Sequence, residues 1–167
     1  MKNTYPNLEA LVATDLCGGI AKNGSIPWHN RADLAFFKKK TETHVVIMGM
    51  RTLLSLPNKH PLPNRLNVVL TNHVAENTKQ YSSKFDNVMF LNLDNLRTFI
   101  NETPDSKLFV IGGNQTYELL LKYCSKIWVT VIKEHHDCDT TLTHDFSQYR
   151  RVPYLVDDAM SIVCYEK

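Results

Sequence analysis

The chain is short of most devices that announce a special environment. Its four cysteines, Cys17, Cys124, Cys138 and Cys164, show no close-paired spacing of the kind that holds zinc. No apolar run approaches the ~20 residues of a membrane span. The start, Met1 to Asn7, is polar and has no apolar segment of the signal type. Charge of one sign is lacking too. The net charge is +2, and the densest basic run, Lys38-Lys39-Lys40, reads as the solvated end of a helix, which argues against a nucleic-acid partner. Internal repeats, linkers and low-complexity segments are absent. These absences leave one ordinary globular domain over residues 1–167, with reduced thiols, of cytoplasmic type, and with nothing that demands more than a monomer.

What is present is an alternation of apolar runs with helical patterns. Runs at Leu8–Thr14, His44–Met48, Asn67–Thr71, Val88–Leu91, Lys107–Ile111 and Lys126–Ile132 read as strands. A polar, Gly-containing loop covers Asp15–Arg31. Helices are expected from Ala32, over Met50–Leu56, over Asn95–Glu102 with Asp94 as cap, and over Gln115–Tyr123. The stretch 72–87 is charged and polar and carries no element in this reading. Two β-rich stretches, around Arg151–Val156 and Ser161–Tyr165, suit an antiparallel pair. Continuous apolar strands alternating with helices predict an α/β fold, a central, mostly parallel twisted sheet with an antiparallel C-terminal edge and helices on both faces.

Two features point to a site. Asp33 lies four residues before Phe37, and Leu34 three before it, so all three project from one helix face, read here as buried. A carboxylate among large apolar side chains is costly unless a ligand or partner satisfies it. An acid favoured by the helix dipole is the plainer alternative. In open α/β sheets ligands bind beyond the carboxyl ends of the strands. That rim collects the loop after Thr14, Gly49-Met50-Arg51-Thr52, Thr71-Asn72 and Gly112-Gly113-Asn114-Gln115-Thr116. Glycine turns and helix starts there offer free backbone N–H groups suited to phosphate. The run His135-His136-Asp137-Cys138-Asp139 has metal-binding residue types, but adjacent His side chains on an extended segment point apart, and no metal is expected.

In order along the chain the pieces are Leu11-Val12-Ala13, Gly19-Ile20-Ala21-Lys22-Asn23-Gly24, Pro27-Trp28 with Asp33 and Phe37-Lys38, and Val46-Ile47-Met48-Gly49 with Thr52. They continue with Pro61-Leu62-Pro63-Asn64-Arg65, Asn67–Thr71, Val110-Ile111-Gly112-Gly113 with Tyr117, Thr130 and Asp139-Thr140. Together they resemble dihydrofolate reductase over nearly the whole chain. The resemblance implies reduction of 7,8-dihydrofolate to tetrahydrofolate with NADPH as cofactor, in one-carbon metabolism, with antifolates as further ligands. It implies that Asp33 binds the pterin and favours its protonation, with Thr130 hydrogen-bonded to Asp33 and a water near Trp28. Ala13, Ile26, Leu34, Phe37, Lys38, Leu62, Arg65 and Ile111 would complete the folate site, Arg65 gripping the α-carboxylate of the tail. Ala13, Ile20, Ala21, Gly24, Gly49, Met50, Arg51, Thr52, Leu70, Thr71, Asn72, Gly112, Gly113, Asn114, Gln115, Thr116 and Tyr117 are implied on the cofactor side. Gly112-Gly113 resembles the family's non-proline cis peptide, and Asp139 an acid that steadies the mobile loop.

The chain departs from the family pattern at Ala21, where the mobile loop usually has glycine, and at Met50, where a basic residue usually follows Gly49. Asn114 stands where the turn has a third glycine, and Leu53 replaces an aromatic. A pyrimidine reductase of riboflavin synthesis shares this type of fold, but Pro27-Trp28, Asp33 and Arg65 together are not expected there. A binding module without turnover is favoured only by Ala21 and Met50, and an intact Asp33 argues against it.

Overall fold

Branched and aromatic residues fill both faces of the central strands, and this is what buries the sheet between two layers of helix. The computed structural model describes residues 4–167; the first three residues of the polar start lie outside the described residues. In chain order the elements are β1 (Tyr5–Thr14), β2 (Gly19–Ala21), α1 (Arg31–Thr41), β3 (Val45–Gly49), α2 (Met50–Ser55), β4 (Leu66–Leu70), α3 (Val74–Tyr81) and β5 (Val88–Leu91). They continue as α4 (Leu93–Glu102), β6 (Leu108–Gly112), α5 (Asn114–Leu120), β7 (Cys124–Ile132), β8 (Thr140–Thr141), β9 (Arg150–Val156) and β10 (Met160–Glu166).

The main sheet has eight strands in the order β5-β4-β3-β6-β1-β7-β10-β9, and β2 pairs with β8 in a separate ribbon. From β5 to β7 every neighbouring pair is parallel. β10 runs antiparallel to both β7 and β9, forming the C-terminal edge. The mixed α/β sheet expected from the sequence is therefore present.

Strand alternation explains the continuous apolar runs. On β3, Val45 and Ile47 join one core cluster with Leu96, Ile100, Tyr117 and Leu120 of α4 and α5. Val46 and Met48 point the other way, into a cluster with Leu53 of α2 and Tyr81 of α3. Beside that second cluster, Leu11, Phe109 and Trp128 pack under Phe36 and Phe37 of α1.

Three local expectations need correction. Residues 74–81 form α3; the segment is polar because only Val74 and Tyr81 reach the core. The cap of α4 is Asn92, whose side chain accepts the Asn95 N–H at 2.9 Å, and not Asp94, which sits inside the first turn. The loop after β1 is not wholly irregular, since Gly19–Ala21 pairs with Thr140–Thr141.

Candidate functional site

Asn30 caps α1: its side-chain oxygen accepts the Asp33 N–H at 2.9 Å. The cap starts the helix one residue earlier than the sequence suggested and places Asp33 in its first turn. The face bearing Asp33, Leu34 and Phe37, read from the sequence as buried, is only partly so: Phe37 packs against the Leu11 cluster. Leu34 is 50% exposed, and the face forms one wall of a cavity of about 420 Å³.

Among the described residues Asp33 is the one carboxylate lining that cavity. Burial raises its pKa, the Thr130 hydroxyl hydrogen bond opposes the rise, and burial prevails, so the group titrates above the usual carboxylate range. Thr130 comes from β7, so the pair joins α1 to the sheet.

The cavity also holds two cations, Lys38 and Arg65. Arg65 is 8% exposed. Its Nε donates to the Pro63 carbonyl at 2.8 Å and its Nη1 to the Thr41 hydroxyl at 3.0 Å. Burial lowers the guanidinium pKa and Glu42 counteracts it; a guanidinium keeps its charge regardless. Thr41 ends α1 and Asp33 opens it, eight residues apart, or about 12 Å along a helix axis. The cavity is thus acidic at one end and cationic at the other.

Between these ends the walls are Ala13, Ile26, Leu34, Phe37, Leu62 and Ile111, as the sequence suggested, joined by Leu11, Val12, Phe36, Leu56 and Trp128, which it did not single out. Trp28 is not among the lining residues. It is half-buried against the Leu11 cluster with its ring 5.4 Å from that of His136.

A groove of about 740 Å³ lies at the carboxyl ends of β3, β4 and β6. It gathers Gly49, Met50, Arg51, Thr52, Leu70, Thr71, Asn72, Gly113, Asn114, Gln115 and Thr116, together with His73, Leu93, Leu119 and Thr140. No carboxylate lines it, Arg51 supplies a cation, and neither α2 nor α5 has a side-chain cap on its first N–H groups. These donors fit an anionic, phosphate-bearing ligand. Thr52 lines both the groove and the cavity, so the two spaces adjoin.

The turn at the join requires glycine. Gly112 has φ +132°, and the Gly112-Gly113 peptide is cis. A Cβ on Gly49 would stand 2.9 Å from the Thr116 hydroxyl, so β3 and α5 can approach only with glycine there. Tyr117 lines the cavity rather than the groove, its hydroxyl donating to the Leu11 carbonyl at 2.7 Å; burial, with Asp33 nearby, raises its pKa. The Thr71 hydroxyl is engaged within the chain, donating to Asn77 Oδ1 at 2.9 Å and accepting the His73 N–H at 3.0 Å.

Ile20, Ala21 and Gly24 line neither space and belong to a loop fastened from below. Ala21 lies in β2 without a positive φ, so its methyl group is accommodated. Asp139 accepts the Asn23 N–H at 2.8 Å and its own N–H donates to the Ala21 carbonyl at 3.1 Å. The other fastening is Asp15, which sequence reading overlooked. It is 1% exposed, and its carboxylate accepts the backbone N–H groups of Cys17, Gly19 and His136 at 2.9, 2.8 and 3.2 Å. Burial pushes that carboxyl up, but these bonds outweigh it and hold it below the usual range. The Cys138 side chain occupies the space over Gly19, where an added Cβ would stand 2.6 Å from Sγ.

The His135–Asp139 run forms local contacts. His135 Nε2 meets Asp137 at 2.8 Å and His136 Nε2 meets Glu134 at 2.8 Å. Among the described residues no three such side chains could hold a metal.

A parallel sheet carrying a charge-polarised cavity beside a donor-lined groove defines an α/β protein with two adjoining small-molecule sites. Residues 7–158 match the family model for dihydrofolate reductase. The dihydrofolate reductase of Ureaplasma parvum is 30% identical over 142 residues, covering 85% of each chain. The type 9 dihydrofolate reductase of Escherichia coli is 36% identical over 140 residues, 81% of this chain and 76% of that one. A solved structure of dihydrofolate reductase from Enterococcus faecalis, complexed with NADP(H) and RAB-propyl, shares the fold with a TM-score of 0.79. It is 28% identical and covers 98% of this chain and 97% of that one. The chain belongs to the dihydrofolate reductase family.

Proposed function

We propose that the cavity binds dihydrofolate between Asp33 and Arg65 and that the groove binds NADPH. The activity is that of a dihydrofolate reductase: 7,8-dihydrofolate becomes 5,6,7,8-tetrahydrofolate, NADPH being the hydride donor. The observation that carries this reading is one cavity lined by a lone carboxylate, Asp33 in the first turn of α1, and by a buried guanidinium, Arg65, which donates to Thr41 at the last residue of that helix. Dihydrofolate is an elongated molecule with an amino-pyrimidine head of hydrogen-bond donors and a carboxylate tail, complementary to that polarity.

The C6=N5 bond of the dihydropterin accepts hydride poorly until N5 carries a proton. Asp33 takes the 2-amino group and N3 in a two-point, charge-assisted contact that orients the ring. Its negative charge, among largely apolar walls, stabilises the cation that forms. The Thr130 hydroxyl aims the carboxylate and favours its ionised form against the effect of burial. The proton would reach N5 through water; Trp28, implied beside that water, stands outside the cavity lining. Phe37, Leu34, Ile26, Leu62 and Ile111 hold the rings, Arg65 grips the α-carboxylate with its planar fork, and Lys38 adds a weaker attraction. Backbone groups of Ala13 would meet the nicotinamide amide, whereas Ile20, implied beside it, lies on the loop outside both spaces; the groove and the cavity adjoin at Thr52. Antifolates share the cavity.

The reading extends to a monomeric, single-domain enzyme of the cytoplasm with no nucleic-acid or membrane partner; four free cysteines accord with a reducing compartment. The test is spectrophotometric: purified protein with dihydrofolate and NADPH should lose nicotinamide absorbance as tetrahydrofolate forms. A folded protein that binds neither ligand and leaves the absorbance constant refutes it.

A further inference from the structure

Behind the cavity, β1 carries a carboxylate that the reaction described above does not use. Glu9 is 5% exposed, and its Oε1 accepts the indole N–H of Trp128 at 2.8 Å. Its other oxygen lies 3.9 Å from the Lys107 ammonium. Trp128 is 8% exposed and lines the cavity. The Lys40 ammonium stands 3.6 Å from the centroid of the same indole, and the Phe36 ring 5.9 Å from it. The indole is therefore held at its polar edge by Glu9 and capped on its face by a cation.

Trp128 and Thr130 alternate along β7 and share one face, as do Glu9, Leu11 and Ala13 on β1. Two successive inward residues of β7 thus each donate to a carboxylate: Thr130 to Asp33, and Trp128 to Glu9. This sets the indole one inward position along β7 from Thr130, beside Phe36 and Lys40 of α1. An indole N–H buried there has no water to turn to, and without an acceptor it would be left unsatisfied or the ring would rotate.

We infer that Glu9 is a positioning residue for substrate binding: through the Trp128 N–H it fixes the cavity wall between Thr130 and Phe36. The inference rests on the reading of that cavity as the dihydrofolate site. Glu9 touches no substrate; its influence passes through the indole, whose ring plane sets the width of the space the pterin enters. Lys107 and Lys40 offset its buried charge.

Glu9→Leu, Glu9→Gln, Trp128→Phe and the Glu9→Gln/Trp128→Phe double variant test it in the intact protein. The readouts are KM and kcat for dihydrofolate and the NMR signal of the Trp128 indole N–H, identified by its loss in Trp128→Phe. Glu9→Leu is expected to raise KM about five- to fiftyfold, the range for a buried donor left without a partner, with kcat changed less than about twofold. Glu9→Gln keeps a weaker, neutral acceptor. It should move the indole signal upfield and raise KM about two- to threefold, and that rise should vanish in the Trp128→Phe background. Should Glu9→Leu not fold, the Glu9→Gln cycle decides alone. An unmoved indole signal in Glu9→Gln, or the same KM change with and without Trp128, overturns the inference. A wild-type protein that does not reduce dihydrofolate would instead overturn the site reading, leaving the indole signal as an independent check on Glu9.

Discussion

Arg65 and Thr41 meet in a buried contact across 24 residues of sequence: the guanidinium donates to the Thr41 hydroxyl at 3.0 Å, and that hydroxyl donates to the Phe37 carbonyl at 2.8 Å. One hydroxyl at the end of α1 thereby sets the orientation of the cavity's strongest cation. Arg65→Lys keeps the charge and loses the fork, so KM for dihydrofolate should rise at least tenfold, on the scale of a charged hydrogen bond, with kcat nearly unchanged. Thr41→Val should shift KM the same way by about three- to tenfold. Steady-state kinetics checks both, and a fall in kcat without a rise in KM would show that Arg65 does not hold the tail.

Asp33→Asn removes the charge proposed to stabilise the protonated pterin. Turnover at neutral pH should fall about a hundredfold or more, the scale for a positioned charge in a water-poor site. Part of the loss should return in mildly acidic buffer, where solvent protonates the pterin unaided. A pH series of kcat for both proteins checks this, and near wild-type turnover at neutral pH would sink the assignment.

The same carboxylate has a cost in stability. Burial raises the pKa of Asp33 in the folded chain, so folding favours its protonated form. Stability from this group therefore increases as pH falls from the raised folded value towards the ordinary aspartate value, and the ionised form is unfavourable above that window. Without ligands, Asp33→Asn should melt higher than wild type at neutral pH, with the gap closing in acid. Thr130→Val should push the Asp33 pKa further up, read from the carboxyl carbon signal by NMR. A lower melting temperature for Asp33→Asn at neutral pH would contradict the sign.

Met50 lines the groove while packing partly against the cluster around Leu53. With Thr71 engaged by Asn77 and His73, Arg51 is the permanent cation of the groove's lining. NADPH should still bind better than NADH, but by roughly tenfold to a hundredfold less than with a second cation. Met50→Arg should tighten NADPH several-fold, leave NADH nearly unchanged and increase the salt sensitivity of NADPH binding. Dissociation constants for both cofactors decide it: equal tightening of the two, or none, would show that position 50 does not face the 2′-phosphate.

The strands were legible because β3 and β6 are buried on both faces and read as unbroken apolar runs, and β4 breaks its run only at Asn67. Asp33 was legible because the helical spacing from Asp33 and Leu34 to Phe37 is a local signal, whereas the cap at Asn30 was missed and the helix start was read one residue late. α3 was not, since a helix touching the core only through Val74 and Tyr81 shows no amphipathic stripe to a reader of sequence. Nor were the groups behind the site. Glu9 reaches Trp128 across 119 residues and Asp15 reaches His136 across 121, so neither carries a pattern within any window of sequence. Asn92 and Asp94 are both good capping types, and the choice between them is made by where Leu96 must point to reach the core.

Cys138 fills the space that a side chain on Gly19 would need. The two positions are therefore not free to drift separately. Gly19→Ala alone should crowd the Asp15 fastening, whereas Gly19→Ala with Cys138→Gly should restore much of what the single change loses, a coupling that a double-mutant cycle would register. Over evolutionary time such a pair imposes an order on change. A lineage can gain bulk in the loop only after shedding it from the strap beneath, and the same methyl group that one ancestor would reject becomes neutral in its descendant.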